Sequence, residues 1–317
     1  MSKSVQRKGP RNRRKADRAI ANPIAWPNGA HCALAITFDV DTDSLIHIGH
    51  REKAIDYLAS ISWLKYDEVA VPRILALFRR FGLKQTFFYP AWCMERYPHL
   101  VDLILKDGHE IAAHGYLHEA ANTMPLERQI YWLDRQIDVI ARMTGKRPRG
   151  WRGPLYSASR HTPTLLAERG FLYDSTLMGD DIPYFLDTPK GELTILPTHH
   201  AMDDWAHFTH AHEFDYVMPI RSPSEAFAVY DAELDAAMIH GGLVVTVWHP
   251  FVTGRLSRFD FLAAWLEHVI KTGKVWVASL EEIAVHAKAS AQDGIWTPRR
   301  HPYPYYDQPV AELEHEP

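Results

Sequence analysis

Cysteine is scarce in this chain: Cys32 and Cys93 are its two thiols among 317 residues. Two thiols build no disulfide framework, so a packed core must hold the fold, and both are expected to be reduced. Long apolar runs are missing as well. Nothing after the basic opening stretch has the length of a signal-peptide core, and no run reaches the roughly 20 apolar residues of a membrane span. Charge of one sign is not in excess. A formal net charge of -4 gives no reason to expect nucleic acid as a partner. There is no Gly-x-Gly-x-x-Gly phosphate loop and no internal repeat. Together these absences point to a cytoplasmic protein with neither a nucleic-acid nor a membrane partner.

What is present is core-forming material. Hydrophobic residues make up 46% of the chain, enough for one large core. Residues 23–296 read as one catalytic unit. A basic tail, residues 1–22, carries Lys3, Arg7, Lys8, Arg11, Arg13, Arg14, Lys15 and Arg18 and is expected to be disordered and solvated. Residues 297–317 read as an extended arm, packed on a surface or on a partner subunit of a homo-oligomer, dimer or tetramer. Aromatics are well supplied, with ten tryptophans that suit the wall of a site for a flat or sugar-like ligand.

Short apolar runs alternate with helical spacing along the whole unit. Strands are predicted at Ala33–Phe38, Gln85–Tyr89, His109–Ala113, Arg149–Trp151, Phe171–Tyr173, Leu193–Leu196, Leu243–Trp248 and Lys274–Ala278. Helices are predicted at Val69–Phe81, Pro98–Lys106, Pro125–Met143, Thr162–Arg169, Ser224–His240, Phe259–Lys271 and Glu281–Ala289, several closed by glycine, as at Gly82. The segment Asp43–Asp67 is too long for a turn and reads as a partly helical excursion. Alternation of this kind implies parallel βα units, whose sites form at the carboxyl ends of the strands.

Asp39, Asp41, His114, Arg152, Asp174 and His249 all stand just after predicted strands. His114 and His118 are four residues apart, which on one helical turn would let them share a cation. With Asp41 they would make a three-ligand face that leaves positions for water and substrate. Asp39 is then the candidate proton acceptor, with Arg152 beside it to orient it. His249, held between Trp248 and Pro250, is the candidate general acid toward a leaving nitrogen.

In order along the chain, Thr37-Phe38-Asp39-Val40-Asp41, His114-Gly115-Tyr116-Leu117-His118, Arg152-Gly153-Pro154-Leu155-Tyr156, Tyr173-Asp174-Ser175 and Val247-Trp248-His249-Pro250 resemble the motifs of the polysaccharide deacetylases. These are the NodB-like enzymes of carbohydrate esterase family four. The resemblance spans Ala33 to Ala284 and implies a distorted (β/α) barrel of about seven parallel strands. It implies Asp39 as general base, Asp41, His114 and His118 as metal ligands, and Arg152 as tether of the base. It also implies the Leu155 amide as oxyanion donor and His249 as acid. Trp92, Trp205 and Tyr156 are the expected substrate-binding residues. The cofactor implied is a divalent metal, zinc first, with cobalt, manganese or ferrous iron as alternatives.

Three departures resemble one branch, which holds atypical peptidoglycan deacetylases, cyclic imidases and allantoinase-like hydrolases: the inserted Val40, Gly115, and Pro250 after His249. Tyr66-Asp67-Glu68-Val69 and Ala201-Met202-Asp203-Asp204-Trp205 look like that branch too. The fourth motif is poorly kept. Leu177 stands where an acid often orients the histidine, and Asp180 or Asp181 is the expected substitute, while Asp43 reads as a solvated or capping residue. The activity implied is metal-dependent hydrolysis of an amide, removing acetyl from an N-acetylated sugar, with a small cyclic imide or ureide as the rival substrate. An open groove flanked by Trp92 and Trp205 would suit glycan, and a closed pocket would suit the small molecule. A ferrous oxygenase and a non-catalytic binding module are the alternatives from other classes.

Overall fold

The computed structural model describes residues 18–308. Eleven strands are present among them: β1 Cys32–Ala35, β2 Thr37–Asp39, β3 Thr86–Tyr89, β4 Glu110–Ala113, β5 Gly150–Trp151, β6 Tyr173–Asp174, β7 Tyr184–Thr188, β8 Gly191–Ile195, β9 Leu243–Val245, β10 Val275–Val277 and β11 Arg300–Pro302. One sheet has the order β11-β7-β8-β6-β5-β4-β3-β2, and the other β10-β1-β9. Every pairing is parallel except β7 with β8. Helices occupy most of the crossovers, so the architecture is α/β, as the alternation implied.

The expected first strand is split at Ile36. There the Gln85 side chain takes the Ile36 N–H at 2.8 Å, and the Thr246 hydroxyl takes the next one at 3.0 Å. The direction of the chain is kept, so β1 and β2 link the two sheets. On one flank they follow the segment that continues from β9 to Trp248, through Thr246 N to Ala35 O, Trp248 N to Thr37 O and Asp39 N to Trp248 O. Alternate residues enter two apolar clusters. Leu34, Ile36, Phe38, Phe87, Tyr89 and Trp248 face one, whereas Ala33, Ala35, Phe88, Ala112 and Val245 face the other. Burial on both faces is why these strands read as continuous apolar runs.

Several predicted bounds are reproduced within a residue or two, and one helix, Leu280–Gln292, ends three residues beyond its predicted Ala289. Helices span Asp67–Phe81, Pro98–Lys106, Leu126–Thr144, Pro223–His240 and Leu280–Gln292, and Gly82 closes the first of these with φ +65°. Capping boxes start the last two, Ser222 with Glu225 and Ser279 with Glu282. The excursion is helical in pieces, Ser44–His50 and Leu58–Leu64 with a 3-10 segment between them.

One expectation needs correcting. The β7–β8 hairpin is antiparallel, and β7 was not predicted. Its signal was present, since the apolar Tyr184–Leu186 and Leu193–Ile195 flank Pro189-Lys190-Gly191. Of the C-terminal arm, Arg300–Pro302 forms β11, which pairs with β7. Of the basic tail, residues 1–17 lie outside the described residues. Residues 18–22 are in contact with the fold, with Ala19 N donating to His240 Nδ1 and the Asn22 amide to Thr297 O. Both cysteines are free and buried. Among the described residues no helix is long and apolar enough to cross a membrane.

Glu110, at the start of β4, ties three elements together. It accepts from the Thr86 hydroxyl at 2.6 Å, the Glu281 N–H at 3.0 Å and the Tyr173 hydroxyl at 2.8 Å. Burial, opposed by these donors, pushes its carboxyl up from 4.5 to about 7. The folded state therefore holds the proton more tightly than the unfolded chain. Stability from this group is fully present below about pH 4.5 and is lost as pH rises through about 7. Glu110→Gln keeps the shape without the charge. The fall in Tm between about pH 5 and about pH 8 should then shrink by about 2–4 °C, read by thermal denaturation. Asp174 and Asp203, raised by burial to about 7 and about 6, leave the remaining slope.

Candidate active site

The parallel strands deliver their carboxyl ends to one edge, and a cavity of about 750 Å³ opens there. Asp39, Asp41, His114, His118, Arg152, Leu155, Tyr156, Trp205 and His249 line it. Trp92 lies elsewhere, its ring 5.3 Å from that of His47 and its N–H donating to Tyr116 O. The expected pair of flanking tryptophans is therefore not formed. Asp174 is also turned away. It receives the N–H of Thr176, and the hydroxyl of the same residue, inside a buried turn.

Asp41, His114 and His118 are brought together with donor atoms all within 4.8 Å of one another. His114 Nε2 stands 3.5 Å from Asp41 Oδ1, and His118 Nε2 stands 3.4 Å from Asp41 Oδ2. These separations are long for hydrogen bonds. They match the roughly 3.3 Å edge expected between ligands of one tetrahedral zinc. His114 Nδ1 lies 2.8 Å from Arg152 O, a carbonyl that can only accept, so the proton belongs on Nδ1 and the Nε2 lone pair faces the cluster. Asp41 Oδ1 is buried without a hydrogen-bond partner. Burial raises the Asp41 carboxyl, against the pull of His114 and His249. Burial likewise holds His118 well below its ordinary value, with His114 and His249 adding to the effect, so its imidazole is neutral. Two imidazoles and an under-partnered carboxylate are the donor set a divalent cation takes.

The two histidines do not share a helical turn. His114–His118 is a loop, in which Gly115 has φ +75° and His118 φ +61°. The loop reverses because the Glu119 carboxylate collects the N–H groups of Tyr116 and Leu117 at 2.7–3.1 Å. Glu119 has no counterpart in the sequence reading, since its role is local backbone capture.

Asp39 is clamped by Arg152, Nη1 to Oδ1 at 2.6 Å, with both groups buried. Arg152 is itself fixed by the Thr37 hydroxyl at 2.8 Å, by Ser175, and by the Phe88 ring 4.0 Å away. After it, the chain must turn sharply. A Cβ at Gly153 would sit 2.4 Å from Ser157 O. Leu155 and Tyr156 both adopt φ +54°, uncommon for residues with side chains. The turn uses Tyr156 N to Gly153 O and Ser157 N to Pro154 O, and the Leu155 N–H takes part in neither bond. The Leu155 side chain is 71% exposed at the rim.

His249 has its partner in Asp204, Nδ1 to Oδ1 at 2.7 Å. The other Asp204 oxygen accepts the His249 N–H at 2.9 Å and the Thr253 hydroxyl at 2.6 Å. This corrects the expectation for the orienting acid. Asp180 pairs with Arg299 and accepts the Asp181 N–H, while the Asp181 carbonyl accepts from Leu243 N. Asp204 lies 45 residues before His249. It was visible as part of Asp203-Asp204-Trp205, but spacing alone gave it no role. Burial disfavours the charged form of His249, yet Asp204, then Asp203 and Asp41, outweigh it and hold the ring well above its ordinary value. Asp203 accepts from the Tyr156 hydroxyl at 2.7 Å, which places Tyr156 at the cavity wall. Asp43 is neither solvated nor an effective cap. It is buried, accepts from the Tyr97 hydroxyl at 2.7 Å, and makes no side-chain cap bond.

Two segments complete the wall. Leu45 and Gly49 come from the excursion, and Trp205, Phe214, Asp215 and Tyr216 from the stretch after β8. Trp205 was expected at the site, whereas Leu45, Gly49, Phe214, Asp215 and Tyr216 were not, because none stands at the end of a strand.

The family profile described as polysaccharide deacetylase matches residues 33–173. A crystal structure from Mycobacterium smegmatis, assigned to the polysaccharide deacetylases, is 36% identical. It covers 93% of this chain and 100% of its own, with a TM-score of 0.84. A peptidoglycan deacetylase-like protein of Gibberella zeae is 42% identical over 42% of this chain and 39% of its own length. The peptidoglycan deacetylase of Helicobacter pylori is 37% identical over 38% of this chain and 41% of its own. The chain thus spans about two fifths of the length of these curated relatives. The full-length match to the mycobacterial structure shows that this chain belongs to the polysaccharide deacetylase family.

Proposed function

We propose that the chain hydrolyses the carbon–nitrogen bond of an amide, removing acetyl from an N-acetylated sugar, with a divalent cation held by Asp41, His114 and His118. The observation that carries this reading is one cavity lined by that donor set, by the Asp39–Arg152 pair and by His249, which Asp204 holds from behind the wall. Zinc suits two imidazoles and a carboxylate, and cobalt, manganese or ferrous iron would also be accepted. When bound, such an ion polarises a carbonyl and acidifies water.

The chain's own groups supply the rest. Asp39, held by Arg152, takes a proton from the attacking water as its oxygen bonds to the carbonyl carbon. The Leu155 N–H donates to the oxygen that gathers charge. His249, held by Asp204, gives a proton to the nitrogen as the carbon–nitrogen bond breaks. Acetate and a free amine leave. A second reading, hydrolysis of a small cyclic imide or ureide, is favoured by one observation. The excursion lines the cavity, and Trp92 does not flank it.

Turnover of a panel of N-acetylated sugars and cyclic imides, with zinc supplied, tests the reading. Loss of acetyl from none of the sugars would overturn it. Asp39→Asn should retain bound zinc, measured by elemental analysis, yet lose turnover by about 1,000-fold or more. His118→Ala should lose zinc itself. Asp204→Asn should fold and bind zinc, but lower kcat by about 100-fold and move the alkaline limb of the pH–rate profile, because its amide no longer favours the charged ring.

A further inference from the structure

The two segments that wall the cavity also meet. Ser60, in the excursion, donates its hydroxyl to Glu213 Oε1 at 2.5 Å. His50, also in the excursion, lies 2.8 Å through Nε2 from the Glu213 carbonyl. Glu213 itself lines the cavity, as do Gly49, Phe214, Asp215 and Tyr216. Rings reinforce the junction: Trp63 stands 6.0 Å from Trp205, and Trp205 stands 5.6 Å from Phe214. The Ser60 bond, first among several contacts, holds the Glu213 carboxyl below its ordinary value, so the acceptor is a carboxylate. The wall on this side therefore has no gap at Glu213.

A sugar inside a polymer must let the chain leave the site on both sides. Here one side is joined shut. Elsewhere the cavity is lined by the exposed Leu155 and by His200, and no bond comparable to Ser60–Glu213 ties Leu155 to the excursion among the described residues. Resting on the deacetylase reading above, we propose that the Glu213 clasp makes the site selective for a terminal sugar or a short N-acetylated oligosaccharide. The bound unit fills the cavity, and the rest of the chain leaves over Leu155. Glu213 and Ser60 are then specificity-determining residues rather than catalytic ones.

Position mapping on a hexamer of N-acetylglucosamine tests this, with the zinc-loaded full chain and tandem mass spectrometry of the products. The wild type should strip a terminal unit about tenfold faster than any internal unit. Its kcat/KM should stop rising beyond a length of about three sugars. The Ser60→Ala/Glu213→Ala double variant should raise the internal-to-terminal product ratio by about fivefold or more, since the side-chain bond that joins the two wall segments is lost. Internal units stripped as fast as the terminal one by the wild type would overturn the clasp proposal and leave the deacetylase reading standing. An unchanged ratio in a folded double variant would overturn the role of Glu213. No acetyl loss from a sugar of any length, with turnover of a cyclic imide, would overturn the deacetylase reading and this inference with it. Should the double variant not fold, the wild-type map alone decides.

Discussion

A buried carboxylate is costly unless something completes it, and the whole site follows from that constraint. Two buried acids, Asp39 and Asp41, line the cavity, and a third, Asp204, lies behind its wall. Asp39 is answered by Arg152, and Asp204 by His249. Asp41 is left with one oxygen unpartnered between two imidazoles. A divalent cation held there would supply the charge that the protein withholds. Because the other two acids are satisfied internally, they stay available for orientation and proton movement instead of competing for the metal.

Placement of these groups depends on parallel strands sharing one edge. β2, β4, β5 and the run after β9 each end in a functional side chain, and the pairings fix their separation. Strain collects where the loops leave the strands. Thr42, His118, Leu155 and Tyr156 all have positive φ. Thr42 is held by the Asp67 carboxylate at its N–H and by Cys93 at its hydroxyl, so the residue after Asp41 cannot relax. The stiffness of the metal-facing loop thus rests on buried polar groups outside the cavity.

Much of this was legible in the sequence. The strand-end positions of Asp39, Asp41, His114, Arg152 and His249 followed from apolar runs, because parallel strands buried on both faces leave that trace. The residues that orient them were not. Asp204 reaches His249 across the fold, and its neighbour Asp203, with the same chemistry, faces Tyr156 instead. Choosing between two adjacent acids needs the loop geometry. The spacing of His114 and His118 suggested a helix, and a loop closed by Glu119 achieved the same convergence. Trp92 and Trp205 looked equivalent by type, but one packs on His47 and the other faces the cavity. β7 was overlooked because an antiparallel hairpin broke an otherwise regular βα rhythm.

The most direct measurement of the central claim is anomalous X-ray scattering at the zinc edge from crystals grown with zinc. A single strong peak within bonding distance of Asp41, His114 Nε2 and His118 Nε2, with Asp39 still on Arg152 and His249 still on Asp204, is the predicted result. A peak instead among Asp203, Asp204 and His249, where donor atoms also converge, would contradict it. So would the absence of any peak in the cavity at saturating zinc.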